Sequence, residues 1–452
     1  MILSSQAQNN RSAIIWETED KSVTLIDNPT SILSAQEFHH DRGVLLSTEP
    51  LEKPYQTNEP KSAAAKAKLV NNTVNASLHA EYAEILDAAL NKIRTSHGGD
   101  WCLPRPFVVP SSRGSRKRKL HHESSNVEDK SRIVETLDYA LERKDQRQLP
   151  NSLLSNLSKE STTYIHGVDD TDSFESAAGD QAVPEDHIQT FITRDELALA
   201  DPSNPAASFN FLLPPGSSFI LGSCSDARTL HTSSRVQSQE LEVPRTFDFI
   251  LLDPPWPNSS VKRTHKTANS TYSTAPSLDD IQQLLVGMDL DVLMADQCLV
   301  AMWITNKPAV RELVLCEDGL FDCWGVELIE EWVWLKTTKR GEPVTPIDSV
   351  WRKPYEILLL GRKRRRYLEA PGAASVDAEA IKRRVVMSVP DLHSRKPCLK
   401  SLIEELVSDN SHYRALEVFA RHLVAGWWSW GNECIKFNWE GYWRSREADS
   451  DQ

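Results

Sequence analysis

From Pro205 onward, short apolar runs alternate with segments whose apolar residues recur at helical spacing. The runs are "SSFILGSC" (217–224), "FDFILLD" (247–253), "CLVAMWIT" (298–305), "VELIEEWVWLKT" (326–337), "YEILLLG" (355–361), "RRVVMSV" (383–389) and "ALEVFA" (415–420). Runs apolar on both alternating sets of positions predict strands covered on both faces. Three amphipathic segments fit between them. "SLDDIQQLLVGM" (277–288) opens on Ser277 with an acid three residues on, a capping-box-like start. "KPAVRELVLCEDG" (307–319) has proline early and glycine late, and "PCLKSLIEELVSD" (397–409) puts Leu399, Leu402, Ile403 and Leu406 on one stripe. Strands separated by helices predict an α/β domain over 205–445 with a mainly parallel sheet.

The first two hundred residues have a different texture. "SAIIWETEDKSVTLID" (12–27) reads as one or two strands, and "HAEYAEILDAALNKIR" (79–94) as an amphipathic helix. These suggest an N-terminal accessory domain over 1–109. Residues 110–132 lack apolar periodicity, and Ser161–Thr193 holds seven acids with no Lys or Arg. The stretch 110–204 therefore reads as a linker with a basic and an acidic part.

Composition narrows the function. The chain has 452 residues and a formal net charge of −13, so there is no global basic footprint, and any polyanion contact must come from local clusters. Seven cysteines without CxxC spacing predict a reduced, intracellular protein with neither a disulfide frame nor a zinc site. The histidines are dispersed, so no metal is expected. No apolar run approaches a membrane span, and the N-terminus has no apolar leader.

The chemistry concentrates at "FDFILLDPPWPNSS" (247–260). In parallel α/β sheets ligands bind beyond the carboxyl ends of strands, and Asp253 falls at such an end. Its carboxylate accepts hydrogen bonds from an amine. Pro254 and Pro255 fix φ and remove donors, and the Trp256 indole offers a flat face. Together they form a clamp for a planar aromatic amine. A plain strand-end turn is the bland alternative, since Asp-Pro-Pro is common turn chemistry.

"LLDPPWPN" resembles the signature of the MT-A70 family of adenine methyltransferases, and "DPPWPNSSVKR" resembles its methyltransferase-like protein 4 branch. "SCSDARTL" (223–230), "AMWITN", "EEWVWLKT", "DLHSRKPCL" (391–399) and "LEVFARHLVAGWWSWGNE" (416–433) resemble further family segments. The resemblance implies a Rossmann-like fold that uses S-adenosylmethionine. It also implies transfer to the 6-amino group of adenine, with RNA preferred over DNA and 2′-O-methyladenosine of U2 small nuclear RNA as an example. It assigns Asp253, Pro254, Pro255 and Trp256 to catalysis. It assigns Asp226, Ala227, Asp253, Lys396, Phe419, Arg421, Asn432 and Glu433 to the cofactor. Lys396, expected at the start of a helix, would take the cofactor carboxylate, with Arg395 as the competing candidate. Two features depart from the core enzyme of the messenger-RNA writer complex: paired zinc fingers are missing, and the N-terminal half differs. A catalytically silent RNA-binding relative is the other reading.

Residues in and around the clamp supply substrate candidates. They are Trp256, Asn258, Lys262 and Arg263 in the loop after the strand, with His265 and Tyr272 as weaker ones. Arg352 and Lys353 lie in "WRKPYE", and Arg364 and Arg365 in "GRKRRR" (361–366), with Lys382, Arg383 and Arg384 near in sequence. "GRKRRR" reads as phosphate contacts around the site or as a nuclear import signal. "RGSRKRK" (113–119) carries the same two readings. The expectation is a nuclear monomer, with the cytoplasm as the alternative, no obligate partner subunit and no membrane contact.

Overall fold

The computed structural model describes residues 12–38, 43–56, 75–107, 151–159, 161–166, 189–193, 196–201, 204–257, 277–349, 353–364, 381–392, 395–407 and 412–444. Its strands are β1 (Ile14–Glu17), β2 (Val23–Ile26), β3 (Val44–Leu45), β4 (Thr162–His166), β5 (Gln189–Thr193), β6 (Glu196–Asp201), β7 (Asn204–Leu212) and β8 (Ser218–Leu221). They continue as β9 (Phe247–Leu252), β10 (Met294–Ile304), β11 (Val326–Lys336), β12 (Tyr355–Lys363), β13 (Lys382–Ser388), β14 (Ala415–Val418), β15 (Trp427–Gly431) and β16 (Trp443–Arg444).

Among the described residues, twelve strands form one sheet in the order β1-β2-β13-β11-β12-β10-β9-β14-β15-β8-β4-β5. Strands β10, β9, β14, β15 and β8 run parallel to one another, and so do β11, β13 and β2. β12 is antiparallel to both β10 and β11, so those two groups point the same way. The sheet is thus mixed but mainly parallel, the expected α/β fold with a Rossmann-like layout. Its reversal at β12 matters, because it carries the start of that strand to the edge where its neighbours end.

Strand side chains alternate between faces, and the core divides accordingly. Ile250, Leu252, Val300 and Met302 join one apolar layer. Phe249, Leu299, Ala301 and Trp303 join the other. β9 and β14 send side chains into both layers, Ile250 and Leu416 into one and Phe249 and Ala415 into the other, which explains why their sequences are mostly apolar.

The stretch set apart in the sequence as an accessory region supplies β1 and β2 to this sheet. Helix Ala76–Ser96 buries Tyr82, Leu86, Ala89, Leu90 and Ile93 in the first layer, as their spacing predicts. Full burial of each such leucine or isoleucine is worth about 1.5–3 kcal/mol. β4 and β5 come from within the acidic stretch and extend the opposite end of the sheet. The mapped segment 113–119 lies outside the described residues.

Candidate active site

β9 ends where its hydrogen bonding must end. The N–H of Asp253 donates to the Val418 carbonyl at 3.4 Å, and the next two residues are prolines with no N–H to give. The turn that follows is held by the end of β10. The Trp256 indole donates to the Trp303 carbonyl at 2.8 Å, and the Lys307 ammonium donates to the Pro257 carbonyl. Trp256 is only 6% exposed and belongs to the apolar core. Its ring therefore anchors the turn, rather than presenting the open face expected of a base platform. The Pro254 carbonyl already accepts the Trp256 N–H at 2.8 Å, leaving one lone pair for an incoming donor.

Charges of both signs gather at this edge. The Lys396 ammonium donates to both Asp253 oxygens at 2.9 Å and lies 3.2 Å from Glu356 Oε2. Lys336 donates to the other oxygen of Glu356. Lys396 also sits 5.3 Å from the Trp303 ring centroid, and Lys336 4.7 Å from that of Trp334. Burial alone would raise the Glu356 carboxyl, but the two lysines hold it well below the usual carboxylate range. Glu356 reaches the site only because β12 runs backwards.

Glu417, in the middle of the apolar β14, is a site residue that the sequence reading missed. It is 9% exposed. Burial, and then the charge of Asp253, push its carboxyl up to about 8, against the pull of Lys396. At neutral pH it is therefore mostly protonated, beside an ionic pair. Asp253, Lys396, Glu417, Phe419, Arg421 and His422 line one cavity. Phe419 takes a φ of 62°, which is rare for a bulky residue and marks strain at the cavity wall. Burial, and then the charge of Arg395, hold the His422 imidazole down to about 4, so it is neutral.

The other expected cofactor residues share the same edge. β8 and β15 pair with Leu221 opposite Gly431, so the segments just beyond them are neighbours. Asp226 and Ala227 open helix Ala227–Glu240 on one side, and Asn432 and Glu433 follow on the other. Asp226 accepts from the Thr229 hydroxyl at 2.7 Å, and Asn432 is exposed. Glu433 lies 3.5 Å from Arg421 and 3.2 Å from Lys436.

Several expectations change. Lys396 does not begin a helix, because the segment turns helical only at Lys400 and holds that form over four residues before a 3₁₀ turn. Its ammonium pairs with the Asp253 and Glu356 carboxylates. Arg395, the competing candidate, lines the same cavity as Lys396. Its side chain is wholly buried and donates to Asp391 at 2.8 Å and to the Leu46 carbonyl at 2.9 Å. Arg364 lies at the opposite end of β12 from Glu356, roughly 25 Å away at strand rise, and pairs with Asp322 at 3.2 Å. Lys382, Arg383 and Arg384 also sit at the far end, engaged with Glu330, Glu331 and Glu81. The described part of this cluster does not ring the site. Lys353 is half-buried against His79 rather than free in a gate, and burial pushes its ammonium down to about 8. Asn258, Lys262, Arg263, His265, Tyr272, Arg352 and Arg365 lie outside the described residues.

This arrangement fits S-adenosylmethionine by the chemistry of its donors. Lys396 offers a cation at the cavity for the carboxylate of an amino acid. The Arg421–Glu433 pair supplies a donor and an acceptor for a ribose diol. Among the described residues no group of His, Cys, Asp and Glu could hold a metal ion, and no helix is long and apolar enough to cross a membrane.

Comparison with known proteins gives a concordant result. The MT-A70 family profile matches residues 247–433. The Cryphonectria parasitica protein named "N6-methyladenosine RNA methyltransferase MTA1" is 31% identical over 447 residues, covering 97% of this chain and 96% of its own. The Pyricularia oryzae protein of the same name is 30% identical over 461 residues, covering 97% and 98%. The Homo sapiens "N(6)-adenine-specific methyltransferase METTL4" is 38% identical over 242 residues, covering 53% of this chain and 46% of its own.

Proposed function

Because the chain belongs to the MT-A70 family and is an N6-adenine methyltransferase of nucleic acid, we propose that it uses S-adenosylmethionine to methylate adenosine in RNA. The observation that carries the proposal is the Asp253 carboxylate, held by Lys396 at the lip of the cavity beside a donor-free proline turn. The full-length likeness to fungal proteins named as RNA methyltransferases favours RNA over DNA. The resemblance to the methyltransferase-like protein 4 branch favours 2′-O-methyladenosine of U2 small nuclear RNA as the finer target, and the nucleus as its place.

The residues divide the work by charge. Lys396 takes the methionine carboxylate, and Arg421 and Glu433 take the ribose hydroxyls. S-adenosylmethionine supplies an electrophilic methyl group on a sulfonium centre. Asp253 then accepts a hydrogen bond from the adenine 6-amino group, with the second lone pair of the Pro254 carbonyl as its companion. That amine is a weak nucleophile because its lone pair is conjugated with the ring. Holding both of its hydrogens turns the lone pair toward the methyl group, so catalysis rests on orientation. The proton leaves after the N–C bond forms, which requires no strong base. Trp256 and Lys307 contribute by fixing the turn.

Nucleoside mass spectrometry tests this after incubation with matched RNA and DNA oligomers and an RNA bearing 2′-O-methyladenosine. N6-methylation of RNA alone is the expected result. Methylation confined to DNA overturns the substrate assignment, and no product with any oligomer overturns the function.

A further inference from the structure

The backbone of the loop that carries Lys396 is gripped on both sides from the N-terminal part of the chain. β2 runs parallel to β13, so both deliver their carboxyl ends to the same edge. Just past β2, Asp27 caps helix Asn28–Ala35 by accepting from the Thr30 N–H at 3.1 Å, and it accepts from the Leu103 N–H at 3.0 Å. Asn28, fully buried, donates its amide to the Arg395 carbonyl at 3.0 Å. Ser31 accepts the Cys398 N–H at 3.0 Å, while its hydroxyl donates to the Asn28 carbonyl at 2.6 Å. These two contacts bracket Lys396 and Pro397. Upstream, Arg105 donates to the Pro390 carbonyl at 3.2 Å. Ser47 and the Thr48 N–H donate to Asp391, which in turn holds Arg395.

We propose that Asn28 and Ser31 are positioning residues for Lys396, so that the N-terminal segment sets the cofactor affinity of a site to which it gives no ligand. The segment 395–399 has no helix or strand of its own to fix it. An ammonium on a four-carbon stem selects a carboxylate only if its backbone is held, and binding groups must stay within about 0.5 Å of the productive geometry. Asn28 and Ser31 supply that hold, one on each side. The inference rests on reading Lys396 as the anchor of the cofactor carboxylate.

The test uses the full-length protein carrying Ser31→Ala, Ser31→Thr, Asn28→Ala or Ile32→Ala. Ile32 is a buried apolar neighbour on the same helix. Calorimetric titration with S-adenosylmethionine gives the affinity, and hydrogen exchange of the 395–402 segment without cofactor gives the loop's order. Ser31→Ala and Asn28→Ala should each weaken cofactor binding roughly tenfold, as expected for losing the one neutral hydrogen bond each makes to the loop. They should speed exchange of the segment and leave RNA affinity unchanged. Ser31→Thr, which keeps the hydroxyl, should restore both readouts. Ile32→Ala should lower the melting temperature without moving the cofactor affinity. If Ser31→Ala binds the cofactor like the wild type, or if Ile32→Ala weakens binding equally, the helix is only a structural support and the proposal fails. Ser31→Ala alone decides the matter should Asn28→Ala not fold. A wild-type protein that does not bind S-adenosylmethionine removes the cofactor reading itself, a failure visible before any variant is compared.

Discussion

Glu331 and Glu417 are both buried carboxylates in strands of one sheet, yet they sit in opposite electrostatic conditions. Glu331 is wholly buried and saturated: Arg311 and Arg383 pair with it, and the Tyr82 hydroxyl donates at 3.0 Å. Burial would raise its carboxyl, but the two guanidinium groups and these hydrogen bonds hold it below its ordinary value. Glu417 lines a cavity, and burial together with the charge of Asp253 raises its carboxyl. A saturated acid fastens helix Ala76–Ser96 to the sheet, and no valence is left for a ligand. An under-satisfied acid beside a cavity keeps that valence. Burial alone thus does not distinguish a structural acid from a chemical one, whereas the count of donors does.

The comparison breaks if the two acids respond alike to removal. Glu331→Ala leaves two guanidinium groups uncompensated and should cost about 3–5 kcal/mol of stability in urea unfolding. Turnover per folded molecule should stay within a few-fold of wild type; a large fall in turnover at full stability would place Glu331 in the chemistry. At the cavity, Asp253→Ala should lower methyl transfer by on the order of 10²–10³, as for the loss of one oriented transition-state contact. Cofactor affinity should change only a few-fold, as read by calorimetry, and wild-type turnover would remove the amine clamp.

A third test sharpens the contrast through pH. The raised carboxyl of Glu417 means that the native state holds a proton which the unfolded chain gives up near its ordinary value. Its stabilising contribution is complete below that value and is lost as pH rises toward about 8. Glu331 has the opposite sign: its contribution is present at neutral pH and is lost as the solution becomes acidic. Glu417→Gln should therefore flatten the decline of stability between pH 5 and pH 8, by at most about 1.4 kcal/mol for each pH unit. Parallel curves for wild type and variant would mean that Glu417 is ionised in the native state.

The strands of the catalytic half were legible because a buried parallel strand must be apolar on both faces: 247–253 and 326–337 match β9 and β11 to within a residue. β15 was not, since "WWSWG" carries a glycine and three tryptophans that read equally as loop packing. Helix Ala227–Glu240 was missed because its buried face is itself mostly polar: Thr229, Ser233, Ser234 and Gln237 are buried beside Leu230, so no apolar stripe shows. β4 and β5 were hidden by the acids around them, and the N-terminal strands, though read as strands, gave no hint of their partner. Pairing across several hundred residues leaves no local pattern. At the site, Asp253 and Lys396 were legible from their motifs. Glu417 and Glu356 were not, although each is a lone acid in an apolar run. That signal becomes specific only when the fold brings such acids to one edge. Arg364 sits far from the site: sequence proximity to a strand does not tell which end of the strand faces it.

The pairing of β2 with β13 also sets a timetable for the growing chain. Val23 aligns with Val385, so the N-terminal hairpin leaves the ribosome about 360 residues before its partner exists. At synthesis rates of about 5–20 residues per second, that interval lasts roughly twenty to seventy seconds. Throughout it, the β2 edge offers unpaired backbone groups to any passing strand. Helix Asn28–Ala35 waits equally long for the segment it grips. A nascent chain halted anywhere before Lys382 would lack the strand that covers this edge.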